Sequence, residues 1–431
     1  MSKEENRKNF SKYVSQNILG MIGFSCYVLA DSYFISIAKG ADGLTALNLV
    51  MPLYSIIFSI GEMIGVGSAI RYAISKIKKD ADADDYFWNA LIWCILSSML
   101  FVFAGIFFSA DIMRVLGADE HIVAVGNNYT KIFMCFAPMF MCNYVTNAFV
   151  RNDGAPGIAM SATLFSSLFN IVFDYILMFP MNLGMEGAAL ATALSPIIGM
   201  GICSIHFFSK KSSVRLVVCK PSVRKLVAGS QLGVSAFVGE MSSAVITLAF
   251  NFVILKLAGN VGVAAYGVVA NIAIVTTAVF NGVAQGSQPL ISSCFGRGDK
   301  DGCTQLKRMG YTTAFVLAAV MYSILFIFAG QFVAVFNSEG SEMLRLYATE
   351  GVKLYFIGIF FAGINIVGGG AFSATEDAFK AAVVSVARGF VLILGAVFVM
   401  SALFGMTGVW LAYAVAGGIT TFIMLVMVLR V

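Results

Sequence analysis

Gly184-Met185-Glu186-Gly187-Ala188-Ala189-Leu190-Ala191 returns later in the chain as Gly405-Met406-Thr407-Gly408-Val409-Trp410-Leu411-Ala412. A second pair keeps nearly the same interval. Leu29-Ala30-Asp31-Ser32-Tyr33-Phe34, with Gly43 beyond it, matches Leu248-Ala249-Phe250-Asn251-Phe252-Val253, with Gly262 beyond it. The first pair lies 221 residues apart and the second 219. Chance likeness between Gly/Ala-rich segments has no reason to preserve the interval, so the chain reads as one unit repeated twice.

The units are membrane bundles. Apolar residues make up 59% of the 431-residue chain and charged residues 12%, with a mean hydropathy of +0.86. A water-soluble surface needs more charge than that. Twelve apolar stretches are long enough to cross the hydrocarbon, which takes roughly 20 residues of helix. They fall at about 16–38, 44–75, 87–109, 121–150, 155–181, 186–208, 226–257, 262–295, 306–336, 342–374, 378–402 and 406–430. Period-two alternation is absent, which argues against an outer-membrane barrel. The basic stretch Ser209–Lys225 is the long polar break. It divides the chain into a first lobe (1–208), a linker (209–225) and a second lobe (226–431). Six helices per half insert both halves the same way round, so the expected fold is an all-α integral membrane protein of two six-helix lobes in parallel, pseudo-twofold repeat.

The net charge of +5 matters through its distribution and does not indicate nucleic-acid binding. With the N-terminus cytoplasmic, the inner segments hold most of the Lys and Arg, from Lys3 through Arg71, Lys76, Arg151 and the linker to Arg430. The outer loops hold Lys39, Arg114, Lys256 and Arg345, while Lys131, Lys353 and Arg388 fall inside helices. This asymmetry predicts a cytoplasmic-membrane protein with both termini inside. The first stretch follows a basic start as a signal peptide would, but it is long and carries Asp31, so it reads as a retained helix. The eight cysteines show no CxxC spacing and read as free thiols.

Charges in the hydrocarbon are costly and each needs a reason. Asp31, Glu62, Asp174 and Glu240 all lie inside apolar stretches. Asp31 and Asp174 each precede the outer end of their helix by about seven residues, a depth of roughly 10 Å. Asn170 lies one turn from Asp174 on the same face, and Thr192 and Tyr129 fall at similar depth. Two carboxylates, an amide and hydroxyls suit Na⁺ or a proton. The alternative, not exclusive with the first, is a buried polar network that fastens helices 1, 5 and 6 together. In the second half the positions of Asn170, Asp174 and Thr192 are held by Val391, Gly395 and Tyr413, and that of Asp31 by Phe250. The fold therefore does not require the polar cluster. Glu62 and Glu240 are candidates for a substrate cleft, or for protonated structural carboxyls. Glu376 and Asp377 read as solvated turn charges, and Gly368-Gly369-Gly370 as a packing site or a hinge.

No GxxxxGK[ST] loop occurs, so no ATP motor is built in. The two histidines, His121 and His206, belong to no metal motif, and no TVGYG-like filter is present. An intramembrane enzyme would need a nucleophile–base or metal constellation, and none is seen.

The first-helix segment around Asp31, the stretch Asn170-Ile171-Val172-Phe173-Asp174-Tyr175 with Gly184, Gly187-Ala188-Ala189 and Ala191-Thr192, and Gln285-Gly286-Ser287-Gln288-Pro289-Leu290 together resemble the multidrug and toxic compound extrusion (MATE) family. The likeness spans nearly the whole chain and is greatest to the bacterial branch with acids in the first lobe. It implies an antiporter that takes in Na⁺ or H⁺ and exports amphipathic, often cationic, compounds without a cofactor, acting as a monomer in the bilayer. It also implies a cation site of Asp31, Asn170, Asp174 and Thr192, with Tyr129 and Asn147 around it. Glu240 resembles a coupling acid of another branch. That branch also has a tyrosine where Ser373 stands, so a complete second-lobe cation site is not expected. A lipid-linked sugar flippase of the same superfamily is the rival reading.

Overall fold

The computed structural model describes residues 3–336 and 341–429, so Arg430, counted above among the inner basic residues, lies outside the described residues. Twelve helices form two lobes. The first holds α1 (Lys3–Gly40), α2 (Asp42–Ile77), α3 (Asp85–Val115), α4 (Glu120–Cys135 and Ala137–Asn152, bent by 46°), α5 (Pro156–Met178) and α6 (Gly184–Phe207). The second holds α7 and α8, which share the 74-residue run Val223–Gly296 and part at Gly259. Then come α9 (Lys300–Ile327, extended by Ala329–Phe336) and α10 (Glu342–Ala374). Finally α11 and α12 share Ala378–Leu429 and part at Gly405. A straight 74-residue helix would be about 110 Å long, several times the roughly 30 Å hydrocarbon core. Each such run must therefore turn back.

The repeat is written into the backbone. Gly40 (φ 59°), Gly259 (φ 62°), Gly184 (φ 51°) and Gly405 (φ 57°) all adopt the left-handed region that only glycine enters freely. Gly40 corresponds to Gly259, and Gly184 to Gly405, at the two intervals found in the sequence. The bend of α4 also has a twin. It falls at Phe136, just before Pro138, whose missing N–H and ring disfavour a continuous helix. The matching point of α10 is the 3₁₀ turn Phe356–Gly358. By contrast, Gly368–Gly370 lie buried in regular helix. That is the packing alternative of the two, since a Cβ on Gly368 would stand 2.3 Å from Met424 Sδ.

Each lobe has its own apolar core, one around Ile57, Phe133 and Phe149, the other around Phe250, Phe356 and Trp410. Large apolar side chains such as Leu100, Phe107, Leu403 and Phe422 remain exposed, as a lipid-facing surface requires. The lobes exchange ends. Phe10 and Val14 of α1 pack into the second core, and Leu232 of α7 into the first. Two seams result, both at the end of the bundle that carries the basic loops. A Cβ on Gly233 of α7 would stand 1.9 Å from Met63 O of α2, and one on Gly282 of α8 would stand 2.6 Å from Ile18 Cα of α1. Only glycine allows backbones so close.

The segment 208–222 is non-helical and pinned to the first lobe. Asp153 Oδ2 accepts from Ser213 N (2.8 Å), Ser212 Oγ (3.1 Å) and the His206 ring (2.8 Å). Asn89 Oδ1 accepts from Ser222 N at 2.6 Å. Glu376 is not merely solvated: it pairs with Arg71 of α2, and with Lys78 at 3.4 Å, across the lobe boundary. Asp377 caps α11 through Lys380 N at 3.3 Å.

Candidate functional site: a first-lobe acid pair and an interlobe cavity

Asp31 on α1, Asn170 and Asp174 on α5, and Thr192 on α6 are all buried. Asn170 and Asp174 share a helix face because they are four residues apart. Asn170 links the group. With its amide oriented to donate to Asp174 Oδ2 at 3.1 Å, its oxygen accepts from Thr192 Oγ1 at 3.1 Å. Asp31 lies close enough to Asp174 for the two carboxylates to repel. Tyr129 of α4 shares a short hydroxyl–hydroxyl hydrogen bond with Tyr54 of α2, and both hydroxyls feel Asp31 and Asp174. One oxygen of each acid, Asp31 Oδ1 and Asp174 Oδ1, is buried with no hydrogen-bond partner. A buried carboxylate oxygen left so is expensive unless a cation or proton meets it. Among the described residues no three His, Cys, Asp or Glu converge as a transition-metal site would require.

A larger cavity lies between the lobes, lined on the first-lobe side by Tyr27, Phe58, Glu62 and Tyr144 and on the second by Glu240, Asn281 and Gln285. Glu62 and Glu240 face it together and repel one another. Asn147 lines this space too, apart from the acid pair, and donates to Ala159 O and Thr163 Oγ1, each at 3.1 Å. Gln285 Nε2 donates to Glu62 Oε1 at 3.1 Å, and Arg151 Nη1 donates to Gln285 Oε1 at 2.6 Å. The same Arg151 Nη1 lies 3.4 Å from Asn17 Oδ1. Where a coupling tyrosine would stand in the other branch, Ser373 hydrogen-bonds Ser235 at 3.0 Å.

Sequence reading missed Tyr54, Arg151 and Gln285. Tyr54 carried no signal beyond its place in α2. Arg151 reads from hydropathy as a charge at the polar end of α4, just before the turn Asn152-Asp153-Gly154, yet it is buried. Gln285 opens the α8 motif quoted above.

The comparisons agree with the geometry. The MatE family profile matches residues 17–176 and 236–400, the two halves of the repeat. Multidrug export protein MepA of Staphylococcus aureus (strain MRSA252) is 27% identical over 404 residues, covering 91% of this chain and 86% of that protein. MepA of Staphylococcus saprophyticus is 26% identical over 399 residues with the same coverage. The structure described as the outward-facing conformation of a multidrug resistance MATE family transporter superposes with a TM-score of 0.91 at 20% identity, over 98% of this chain and 95% of that one. A MATE crystal structure in the straight conformation gives 0.90 at 19% identity over the same shares. With its repeat, its intramembrane acids and a family profile that spans both halves, the chain belongs to the MatE family and is a multi-pass membrane transporter.

Proposed function

We propose that the protein exports amphipathic, cationic organic compounds from the cytoplasm by alternating access, driven by Na⁺ or H⁺ entering through the first lobe. The observation that carries this reading is the pair of unpartnered buried oxygens, Asp31 Oδ1 and Asp174 Oδ1, in one lobe only. With Asn170 and Thr192 they offer oxygen ligands suited to Na⁺, and two close carboxylates also hold a proton readily. Multidrug export by the MepA relatives supports the substrate class, as do the facing acids Glu62 and Glu240. The boundaries 1–208, 209–225 and 226–431 mark the bodies that rock, with the basic end cytoplasmic. The glycine seams at that end fit a form closed to the cytoplasm. Each chain has a complete cavity, so a monomer suffices.

Loading the acid pair neutralises its repulsion and lets α1 repack against α5 and α6. Because α1 also reaches into the second-lobe core, its movement is felt at the lobe interface. Coupling requires that cation and substrate favour different states. The test is the thermal midpoint of purified protein, titrated separately with NaCl against choline chloride and with acid. The midpoint should rise with one of the two cations, and Asp174→Asn should erase that rise. A midpoint indifferent to both Na⁺ and pH would overturn the reading.

A further inference from the structure

The segment that joins the lobes, 208–222, is a strap with a bound face and a free face. Val214 is buried in the first-lobe core, and Asp153 holds Ser212 and Ser213 beside it. Further along, Asn89 Nδ2 donates to Cys219 Sγ at 3.0 Å, and Asn89 Oδ1 accepts from Ser222 N at 2.6 Å. Asn89 stands one turn into α3, so the strap runs level with the ends of the membrane helices. With its backbone fixed at both ends, the strap turns its remaining side chains outward.

The outward face mixes charge and apolar surface. Lys210, Lys211, Arg215 and Lys220 are exposed, as is Arg224 just beyond the strap. Among the described residues, none of these five side chains pairs with an acid. The neighbouring acids are already matched, Asp84 by Lys76 at 2.7 Å and Asp85 by Lys225. Between the cations, Leu216, Val217 and Val218 are also exposed, Val218 at 76%. Ile205 and Phe208 (81% exposed) lead into the strap from α6, and Val223 and Val227 lead out of it along α7. The apolar surface of the strap thus continues that of two membrane helices. Apolar residues interleaved with Lys and Arg are the composition of a segment that lies in a membrane interface. Cations clustered beside a membrane helix attract anionic lipid headgroups. A nucleic acid or an acidic protein would match the charges and leave Leu216 and Val218 in water.

We propose that the strap docks on the headgroup region of the membrane in which the protein sits. Its five cations meet the phosphates of anionic glycerophospholipids, and Leu216 and Val218 enter the apolar boundary beside them. Asp153 and Asn89 act as positioning residues, because they hold the strap in the orientation that presents this face. The inference adds a lipid partner to the export reading and depends on neither the substrate nor the driving cation.

The probes are dioleoyl phosphatidylglycerol, which is anionic, and dioleoyl phosphatidylcholine, which is not. Each is titrated into the purified full-length protein, and bound lipid is read by native mass spectrometry. Changing Lys210, Lys211, Arg215, Lys220 and Arg224 together to Gln should weaken phosphatidylglycerol by about tenfold or more and leave phosphatidylcholine within about twofold. A control that changes the exposed Arg7, Lys8, Lys12, Lys300 and Arg308 to Gln removes equal charge from the same end of the bundle. It should keep phosphatidylglycerol affinity within about twofold of wild type. No weakening in the strap variant, or equal weakening in the control, would overturn the proposal. A second measurement needs no loss of charge. The indole added by Val218→Trp is read as the difference from the parent chain in phosphatidylglycerol vesicles. Dibrominated phosphatidylglycerol should quench it, and aqueous acrylamide should not. Quenching by acrylamide alone would place the strap in water and overturn the proposal, even if the five-site variant fails to fold. Neither readout involves substrate or driving cation, so failure here leaves the export reading standing.

Discussion

Gln285 of α8 donates to Glu62 of α2 at 3.1 Å, so an amide of the second lobe holds a carboxylate of the first, and Arg151 secures that amide from its other side at 2.6 Å. The three side chains form a lock across the lobes, bordering the cavity on the side of the glycine seams. Opening the seams must break it, and a substrate cation that reaches Glu62 competes with Gln285 for the same oxygen.

Gln285→Leu removes both bonds and leaves Arg151 short of an acceptor. A hydrogen bond to a charged group contributes roughly 1.5–3 kcal/mol. The closed seam should open about tenfold more often or beyond. Hydrogen exchange at residues 63–67 and 229–233 measures this directly, and the amides there should exchange faster than in wild type. Unchanged exchange would mean that the lock does not hold the lobes.

Gly233→Ala attacks the seam itself. Its Cβ would stand 1.9 Å from Met63 O, a backbone atom with little freedom to give way. Overpacking of this kind costs about 1–3 kcal/mol, here charged to the closed form alone. Export should fall by about tenfold or more while membrane levels hold. An Ala variant that exports at the wild-type rate would show that the seam does not close during the cycle.

Depth explains what the sequence revealed and what it hid. The repeat was legible because glycine punctuates helices visibly, and the intervals between Gly40 and Gly259 and between Gly184 and Gly405 survive in the backbone. Asp31, Asn170, Asp174 and Thr192 were legible as a group because helix rise converts residue number into depth. Rotation about the helix axis is harder to read. Tyr54, Arg151 and Gln285 reach their partners by facing inward at particular angles, and hydropathy carries no such information in a segment apolar all round. Asn147 illustrates the same difficulty, since its place beside Thr163 depends on where α4 lies against α5. Glu376 looked like a turn charge because its partners, Arg71 and Lys78, are some three hundred residues away.

Glu240→Gln separates charge from hydrogen bonding at the second-lobe face of the cavity. With cation coupling supplied by the first-lobe acids, the change should weaken cationic ligands by about tenfold or more and spare neutral ones. Fluorescence titration with a cationic dye and a neutral analogue makes the comparison. Loss of both classes together would assign Glu240 to coupling, and loss of neither would make it structural.

The acid pair is the centre of the account, and gradient-driven export in proteoliposomes tests it most directly. Wild-type protein should drive a cationic dye against its concentration gradient when a Na⁺ or proton gradient is imposed. Asp31→Asn and Asp174→Asn keep side-chain size and remove the charge, and each should abolish that uphill movement while the protein remains folded in the membrane. If either variant transports at the wild-type rate under a saturating gradient, that carboxylate is not where the driving cation acts.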